Sequence, residues 1–424
     1  MNATQQPVAT PNGLFRWRKL ANRLIAGGTA LCVLGLVVDL ARHHDLKQFG
    51  YSWLLGFMFW LSLVLGALFL VMVHHLVDAV WSVPFRRICE HLACLVLPWM
   101  AVFFIPIALL SPSIYSWMIT NPRTDQALLV KWPLLTLPGF YVVAALCFAV
   151  WAVLASRLRF WWLRQDEDGS AQCTRKLRVH SAWGIAAYGV TLTLAAVLWM
   201  QVLQYQWYST MYGVYYFAGC VWVALAAVYV IAVSLDRQGL LQETARDEQY
   251  YFLGSLLFAF TVFSAYIHFS QYFVIWNANI PDETFWYVAR EKGSWFAVGL
   301  VLVFGHFLLP FLALLRIDVK LISRYMVPLC VWIGLMQFAD LTFNISPVLH
   351  PNGFSFRWLW LDVGCVALMG GVLAKVFLRD LFRYPVLPMK DPRMSEAVGQ
   401  YLIPVPDVLP ASGQTSPRLD KPAG

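Results

Sequence analysis

The stretch MVHHLVDAVWSVPFRRICEH, residues 72–91, closes one long apolar run and opens another. Apolar runs of about 20 residues have the length that crosses a bilayer as a helix. Ionisable side chains gather at the junction, and they are His74, His75, Asp78, Arg86, Arg87, Glu90 and His91. The stretch, called the elbow below, therefore predicts two successive membrane helices joined by a polar turn.

The composition of the 424-residue chain supports the same class. Hydrophobic residues make up 60% and charged residues 13%, with a mean hydropathy of +0.61, whereas a soluble domain carries about 25% charged residues. The basic residues behind the net charge of +8 lie in short segments between apolar runs, which favours a topology signal over nucleic-acid binding. FRWRKLANRL leads straight into a full-length apolar run, so we expect a membrane anchor there rather than a cleaved signal.

Ten apolar runs are long enough to span a membrane, with bounds near 22–40, 51–77, 88–112, 128–155, 180–202, 213–235, 249–277, 293–315, 322–344 and 357–379. Because lipid offers the backbone no hydrogen-bond partners, such runs are expected to be helices. The sequence thus predicts an all-α integral membrane protein. Its parts are an N-terminal segment 1–21, a transmembrane domain 22–379 and a tail 380–424, whose Pro, Ser and charge are typical of extended or disordered chain.

The distribution of Lys and Arg predicts the orientation. With the N-terminus in the cytoplasm, all but seven of the 31 basic residues fall on the inside, the seven being Arg42, Lys47, Arg123, Lys131, Arg290, Lys292 and Arg357. The positive-inside rule then places both termini in the cytoplasm. Spans 2–5 and 6–9 would form two four-helix bundles in the same orientation, flanked by spans 1 and 10. Parallel repeats occur in transport folds, but aromatic belts alone would produce the same similarity between YSWLLGFMFW at 51 and YGVYYFAGCVW at 212.

The elbow is the first candidate site. His74 and Asp78 are four residues apart and are expected to share a helix face, while His91 begins the next helix. Histidines and carboxylates exchange protons near neutral pH, so these three residues are candidates for a proton entrance. The alternative is that they are polar helix ends, held at the lipid headgroups by Arg86 and Arg87. Haem ligation so close to the headgroups is disfavoured.

A second candidate site lies near the outer ends of spans 7, 9 and 10. AYIHFSQYFVIWNANIP supplies His268 and Gln271, LMQFADLTFNISP supplies Gln337 and Asp340, and WLWLDVG supplies Asp362. An imidazole, a carboxylate and amides suit a polar-headed apolar ligand such as quinol, whose oxidation needs a base that accepts protons. The alternative is that His268 and Asp340 pair with each other and join two helices.

His306 lies near the middle of span 8, where it is either a proton relay or a packed histidine beside a kink at Pro310. Helical rise places it roughly 10 Å from the depth of His268, which argues against a shared haem. The eight cysteines form no CxxC or CxxCH motif, so no metal or covalent haem is expected in this chain.

Four stretches carry a family resemblance: HHLVDAVWSVPFRRICE, HFSQYFVIWNANIPDETFWY, GSWFAVGLVLVFGHFLLPFLALLR and VLPMKDPRMSEA. Across about residues 70–396 the chain resembles the ActF-type membrane protein of the bacterial alternative complex III, a quinol:electron-acceptor oxidoreductase. ActF-type proteins are related to the polysulfide-reductase membrane-anchor, or NrfD-like, family. The resemblance implies ten helices in two four-helix bundles, a place in the bacterial inner membrane, and no haem or metal bound by this chain.

The resemblance also implies partners. They are a paralogous NrfD-like subunit with the quinone site, a multihaem cytochrome c subunit, an iron–sulfur subunit and small membrane subunits, so c-type haem and iron–sulfur clusters would belong to partners. We therefore expect a membrane subunit that supports quinol oxidation and provides a proton path, with a secondary transporter or a purely structural anchor as alternatives. The proton-path candidates are His74, Asp78, His91, His306, His268, Asp340 and Asp362. The quinone-binding candidates are His268, Gln271, Gln337 and Asp340.

Overall fold

The computed structural model describes residues 11–121, 125–241, 244–388 and 390–397. Within these ranges every regular element is a helix. Ten helical stretches are long and apolar enough to cross a membrane, which confirms the predicted all-α, multi-span class.

Eight of the ten spans are single helices. Their bounds are Pro11–His43 for span 1, Lys47–Leu76 for span 2, Leu137–Asp168 for span 4, Ala171–Trp199 for span 5, Tyr212–Asp236 for span 6, Asp247–Ala278 for span 7, Ser323–Ile345 for span 9 and Leu359–Leu381 for span 10. Span 3 is broken into a 3₁₀ turn Val80–Ser82, a helix Val83–Ala93, a 3₁₀ turn Cys94–Val96 and a helix Trp99–Ile114. Span 8 consists of the helix Ser294–Val301, a π-helix Leu302–Leu308 and the helix Leu309–Leu315.

Short helices connect the spans. They are Ser116–Met118, Gln126–Val130, Gln201–Gln204, Pro281–Arg290, Ile317–Leu321, Ser346–Val348, Phe356–Trp358 and, after span 10, Met394–Ala397. Spans 4 and 5 extend well beyond their predicted bounds and turn at Gly169, whose φ of +64° suits a glycine. The segment 156–179, expected to be a loop, is therefore mostly a helical hairpin. Its polar residues continue the helix because water can solvate them outside the bilayer.

The spans contact one another in two rings. Span 2 packs on spans 3 and 5, and span 4 packs on the same two; span 6 likewise packs on spans 7 and 9, and span 8 on those two. Spans 2 and 6 pack along each other and join the rings, while span 1 packs on span 10 and span 10 on span 2. The first ring is spans 2–5 and the second ring is spans 6–9.

A glycine sets the close approach of spans 2 and 6. A Cβ atom added at Gly66 would clash with the carbonyl oxygen of Cys220 and lie 2.6 Å from its carbonyl carbon. Small residues of this kind let two membrane helices approach backbone to backbone. The two rings are therefore packed against each other with no room for a side chain at this point.

The two rings differ in what fills them. Aromatic side chains in contact with one another fill the first ring, and they are Phe57, Phe104, Phe140, Phe148, Trp151 and Trp199. The second ring instead encloses ionisable and hydroxyl side chains from all four of its spans. Burying ionisable side chains inside a membrane protein costs free energy, and such residues mark functional sites. The second ring therefore holds the candidate site.

The chain after span 10 folds back onto the elbow. Met394 and Ala397 are buried against Val83, and Asp391 and Arg393 are buried as well. Up to Ala397 the predicted tail is therefore packed against the elbow, which supplies charged partners that composition does not reveal. The rest of the predicted tail, 398–424, lies outside the described residues.

Candidate functional site

Each span of the second ring contributes one residue to a buried polar cluster. Tyr215 comes from span 6, His268 from span 7, His306 from span 8 and Asp340 from span 9. His268 Nε2 lies 3.3 Å from Asp340 Oδ1, and the Tyr215 hydroxyl donates a hydrogen bond to the same carboxylate oxygen. Asp340 is only 3% exposed. The four residues are called the ring-2 cluster below.

The rings of the cluster lie close together at tilted angles. The ring centres of Tyr215 and His268 are 4.1 Å apart, and those of His268 and His306 are 5.3 Å apart. The expected separation of the two histidines in depth is therefore wrong. It assumed that each span is centred on its apolar run, whereas span 7 is a 32-residue helix that exceeds the bilayer thickness and is free to be displaced along its axis.

His306 lies in the π-helix of span 8. Its ring packs on Trp222 of span 6 with 4.0 Å between centres, and the Trp332 indole donates to the Gly305 carbonyl at 2.8 Å. Pro310 has no N–H to donate to the carbonyl four residues before it, which is that of His306. Single π-helical turns occur frequently at functional sites, and His306 Nε2 is buried without a hydrogen-bond partner among the described residues.

Asn344 joins the cluster to a second polar layer that the sequence did not reveal. Its side-chain amide donates to the Tyr215 hydroxyl and to the Asp340 carbonyl, both at 2.8 Å. The Tyr212 hydroxyl donates to Asn344 Oδ1 at 3.1 Å. Asn344 follows Asp340 by one helical turn on span 9, so the helical spacing is the signal that would have found it.

Arg290 lies at the outer edge of this layer, at the end of the helix Pro281–Arg290. Its guanidinium donates to the carbonyls of Trp286, Phe343 and Asn344 at 2.9 Å each, and to Gln204 Oε1 at 3.2 Å. It also stacks 3.4 Å from the Trp286 ring centre. Burial lowers the pKa of Arg290 to about 9. In the sequence Arg290 was counted only as one of the seven basic residues on the outer side. In the structure it is a fully buried cation whose guanidinium is hydrogen-bonded to carbonyl oxygens.

A cavity of about 730 Å³ opens between spans 7 and 8 beside the cluster. Its wall is largely apolar and includes exposed side chains of both spans, such as Phe269 and Val303. Its polar lining residues include Tyr215, His268, Gln271, Tyr287, Arg290, His306 and Glu291. A mostly apolar cleft of several hundred Å³ with a few convergent polar groups is typical of a small-molecule site.

The quinone-binding candidates separate in the structure. His268 and Gln271 line the cavity, and Gln271 is oriented by a donor bond to the Tyr287 hydroxyl at 3.1 Å. Asp340 does not line it, since it lies behind Tyr215 and His268. Gln337 is buried between spans 6 and 9, where a Cβ on Gly219 would lie 2.8 Å from its amide.

Asp362 is buried in span 10, which packs on spans 1 and 2. Its side chain lies beside Ser52 of span 2. The structure therefore does not bring Asp362 to the ring-2 cluster, although the sequence predicted a similar depth. Depth in the membrane restricts which residues can meet, but the packing order of the helices decides which do.

The elbow holds an ion-pair network rather than free helix ends. Arg86 Nε lies 3.0 Å from Glu90 and the Arg86 guanidinium also pairs with Asp391, while Arg87 lies 2.9 Å from Glu90 and 2.6 Å from Asp166. Both arginine side chains are fully buried. The alternative in which they are held at lipid headgroups is therefore wrong.

His74 and Asp78 do not share a helix face. The helix ends at Leu76, and Asp78 has a φ of +49°, so it turns away and pairs with Arg178 and Arg393. His74 Nδ1 instead lies 2.5 Å from the Ser82 hydroxyl. The spacing of four residues failed as a signal because it assumed that the helix continues past Leu76.

Several imidazole nitrogens at the elbow have no hydrogen-bond partner among the described residues. They are Nε2 of His74 and both nitrogens of His75 and of His91. His91 packs among aromatic rings, with Tyr384 stacked at 6.0 Å and Trp162 edge-on at 5.5 Å. Buried polar groups in native proteins are normally paired with protein or with ordered water, so these nitrogens are sites at which water is expected.

The described residues contain no group of three or more His, Cys, Asp or Glu placed to hold a metal ion. A scan against models of known protein families finds no match to the chain, and a search of curated protein sequences finds none either.

Proposed function

We propose that the chain is an integral membrane subunit of a bacterial respiratory quinol oxidoreductase of the alternative complex III type, and that its second ring handles the protons of quinol oxidation. The observation that carries the proposal is the position of His268. Its ring lines the lateral cavity, while its Nε2 lies within hydrogen-bonding distance of the buried Asp340 carboxylate.

The chemistry follows from that position. Oxidation of a quinol releases two protons together with its electrons, and a positioned base accelerates the release. His268 Nδ1 lies 2.6 Å from the Ser264 carbonyl and its Nε2 faces Asp340, so the base nearest the cavity is the His268–Asp340 pair. Tyr215 donates to Asp340 and holds the carboxylate in place, and His306, whose ring centre lies 5.3 Å from that of His268, is the next imidazole along the proposed path.

The cavity suits the quinol itself. Its apolar wall accepts the ring and tail, and the opening between spans 7 and 8 admits a lipid-soluble molecule from the side. The Gln271 amide supplies a hydrogen-bond partner for the headgroup, and the His268 ring forms the wall beside it. The proposal thus keeps these two of the four quinone-binding candidates and gives Asp340 a supporting role behind His268.

The inner half of the path is proposed through the elbow. His74 and His91, together with His75, offer imidazole nitrogens that are buried and unpaired within the described ranges, and Asp78 lies at the exposed mouth between Arg178 and Arg393. Ordered water would have to connect these groups to His306. Asp362 lies apart from both sites and is not included in the path.

The architecture is part of the same proposal. The two contact rings are interpreted as two four-helix bundles, with both termini in the cytoplasm as the basic residues predict. The electron path belongs to partners: a paralogous NrfD-like quinone-site subunit, a multihaem cytochrome c subunit and an iron–sulfur subunit, accompanied by small membrane subunits. This chain binds none of the haem or the iron–sulfur clusters.

Purification of the tagged chain from its native membrane tests the proposal. We expect haem-bearing partners to co-purify, with a c-type visible spectrum and quinol oxidation activity in the preparation. A chain that purifies alone and catalyses solute uptake in vesicles would be a secondary transporter, and the proposal would be wrong. If the complex keeps full proton release when the residues of the ring-2 cluster are replaced, the chain is a structural anchor and has no role in proton transfer.

A further inference from the structure

A second, entirely uncharged hollow lies on the opposite half of the molecule from the ring-2 cluster. It is a groove of about 450 Å³ between spans 1, 2, 3, 6, 9 and 10. Its wall is made of apolar side chains and small residues, with Ser234 at one end and Gly334 and Gly370 near the other. This inner groove lies at the end of the molecule where span 1 begins and span 10 ends.

The length of the inner groove matches one leaflet of a bilayer. On span 6 its lining runs from Val223 to Ser234, a distance of about 16 Å at the helical rise of 1.5 Å per residue. One half of the hydrocarbon core is about 15 Å thick. The groove therefore reaches from the middle of the bilayer to the headgroup region on the side of span 1.

An acyl chain suits the shape of the inner groove. The groove is apolar along its length of about 16 Å and has a volume of about 450 Å³. An acyl chain is the membrane component that matches an apolar groove of this length. Since lipid tails are as apolar as the wall, the chain is held there by close packing and not by transfer from water.

Basic residues occur near the headgroup end of three spans that line the inner groove. They are Arg16, Arg18, Lys19 and Arg23 on span 1, Arg324 on span 9 and Lys375 on span 10. All six are exposed, and none is paired with a carboxylate among the described residues. Beyond Ser234, span 6 adds Asp236 and Arg237, whose charges cancel. Such clusters at the end of a membrane helix attract anionic headgroups.

We propose that the inner groove binds one acyl chain of an anionic phospholipid, whose headgroup lies among these six basic side chains. Long basic side chains extend along the apolar surface to reach a headgroup, so the residues on span 1 hold the phosphate while the chain follows span 6 toward mid-membrane. The proposal goes beyond the proposed function and does not depend on it, since it concerns neither the cavity nor the ring-2 cluster.

Lipid retention on the purified full chain tests the proposal. The chain is reconstituted in nanodiscs of phosphatidylglycerol and phosphatidylcholine, re-extracted in mild detergent and weighed by native mass spectrometry. We expect one retained phosphatidylglycerol. Gly334→Leu places a side chain in the groove, because a Cβ at Gly334 meets nothing within 4 Å, and it is expected to remove at least about nine-tenths of the retained lipid. Gly189→Leu is the matched control, since Gly189 is equally open but lies on span 5.

The charge part of the proposal has its own variant. Arg16→Gln with Arg23→Gln is expected to lower the preference for phosphatidylglycerol over phosphatidylcholine about 25-fold, a factor of about 5 for each basic residue near a lipid headgroup. Both side chains are exposed, so the variant is expected to fold as the wild type does. Lys292→Gln, at the other end of the molecule, should leave the preference unchanged.

Three results would overturn the proposal. The first is equal retention of phosphatidylcholine and phosphatidylglycerol, and the second is unchanged retention in Gly334→Leu. The third is a cross-link from a cysteine placed at Leu24 in the assembled complex to a partner subunit's helix instead of to a photoreactive phospholipid. If Gly334→Leu has a lower melting temperature than Gly189→Leu, its loss of lipid could reflect misfolding. The Arg16→Gln, Arg23→Gln variant then decides the test.

Discussion

The carboxylate of Asp340 reaches the lateral cavity only through its two hydrogen-bond partners, His268 and Tyr215. His268 Nε2 lies 3.3 Å from Asp340 Oδ1 although 72 positions separate the residues. A buried carboxylate is costly unless it is paired, so the pair stabilises the packing of spans 7 and 9. The same contact places a charged group behind a base that faces the cavity. Both interpretations offered by the sequence, a ligand site and an interhelical pair, therefore describe the same two side chains.

Replacing Asp340 by asparagine removes the charge and keeps the shape of the side chain. In the assembled complex we expect quinol turnover to fall about 100-fold, because a base without its carboxylate loses much of its advantage as a proton acceptor. The measurement is steady-state quinol oxidation with proton release followed by a pH dye. Asp318→Asn, at an exposed pair with Arg316, is the control. Normal turnover in a normally assembled Asp340→Asn complex would contradict the proton role.

His306→Leu tests the relay step. Leucine preserves an apolar contact with Trp222 but deletes the ring nitrogens, so we expect proton release to slow about 10- to 100-fold while the KM for quinol changes little. His180→Leu on span 5, outside the second ring, is the matched control. An increase in KM with unchanged turnover would instead assign His306 to binding.

Filling the cavity tests quinol binding. A Cβ at Gly299 would meet only the Phe343 ring, at 3.8 Å, so Gly299→Phe projects into the cavity without a clash near its backbone. We expect the KM for quinol to rise at least about tenfold, because a cavity already occupied by a side chain excludes the ligand. Labelling of spans 7 and 8 by a photoreactive quinone analogue should fall in parallel, while Gly189→Phe should label as the wild type does. Undiminished labelling would place the quinone elsewhere.

Asp391→Asn is expected to release the segment 390–397 from the elbow. It leaves the buried Arg86 with one partner fewer, and breaking a buried pair costs about 3 kcal/mol. Trypsin should then cut after Arg393 in the folded chain, which is monitored by mass spectrometry. Asp318→Asn should leave that bond protected, since an exposed ion pair contributes less than about 1 kcal/mol. A protected Arg393 in the Asp391→Asn chain would show that apolar contacts alone hold the segment.

Acid should release the same segment. Burial opposes ionisation of Asp391, but the guanidiniums of Arg86 and Arg393 outweigh it and hold the pKa of the Asp391 carboxyl below its usual value. An unfolded aspartate has a pKa of about 3.9, so the stabilisation is fully present above that pH and is lost as the pH falls through the lowered folded value. Pepsin cleavage within 390–397, divided at each pH by the cleavage of an unstructured reference peptide, should therefore rise only below about pH 4. Cleavage that is as fast at pH 6 would be inconsistent with the ion pair.

Gly66→Ala tests the packing of the two rings. A methyl group there meets the Cys220 backbone, so one span must move, and overpacking of this kind costs about 1–3 kcal/mol. We expect a lower melting temperature in detergent. Gly27→Ala, where a Cβ meets nothing within 4 Å, should be neutral or slightly stabilising because alanine favours a helix. Equal melting temperatures for the two variants would show that spans 2 and 6 are not tightly packed.

The apolar runs of the sequence correctly predicted where the membrane-spanning helices lie. Each apolar run must form a helix because lipid leaves its backbone no other partner, so the number and order of the ten spans follow from composition alone. The rarity of ionisable residues in such runs also singled out His268, His306 and Asp340. Span ends were predicted less accurately, because the helices of spans 4 and 5 continue past their apolar runs into polar sequence.

Relationships between spans required the tertiary structure. Helix length does not determine how far a helix is displaced along its axis, so the depths of His268 and His306 were predicted wrongly, and Asp362 was grouped with residues that it does not meet. The partners of Arg86 and the burial of Arg290 depend on segments distant in the chain. Hydrophobicity is a property of each run and therefore determines the spans. Pairing of polar groups depends on packing, tilt and register, which only the folded chain decides.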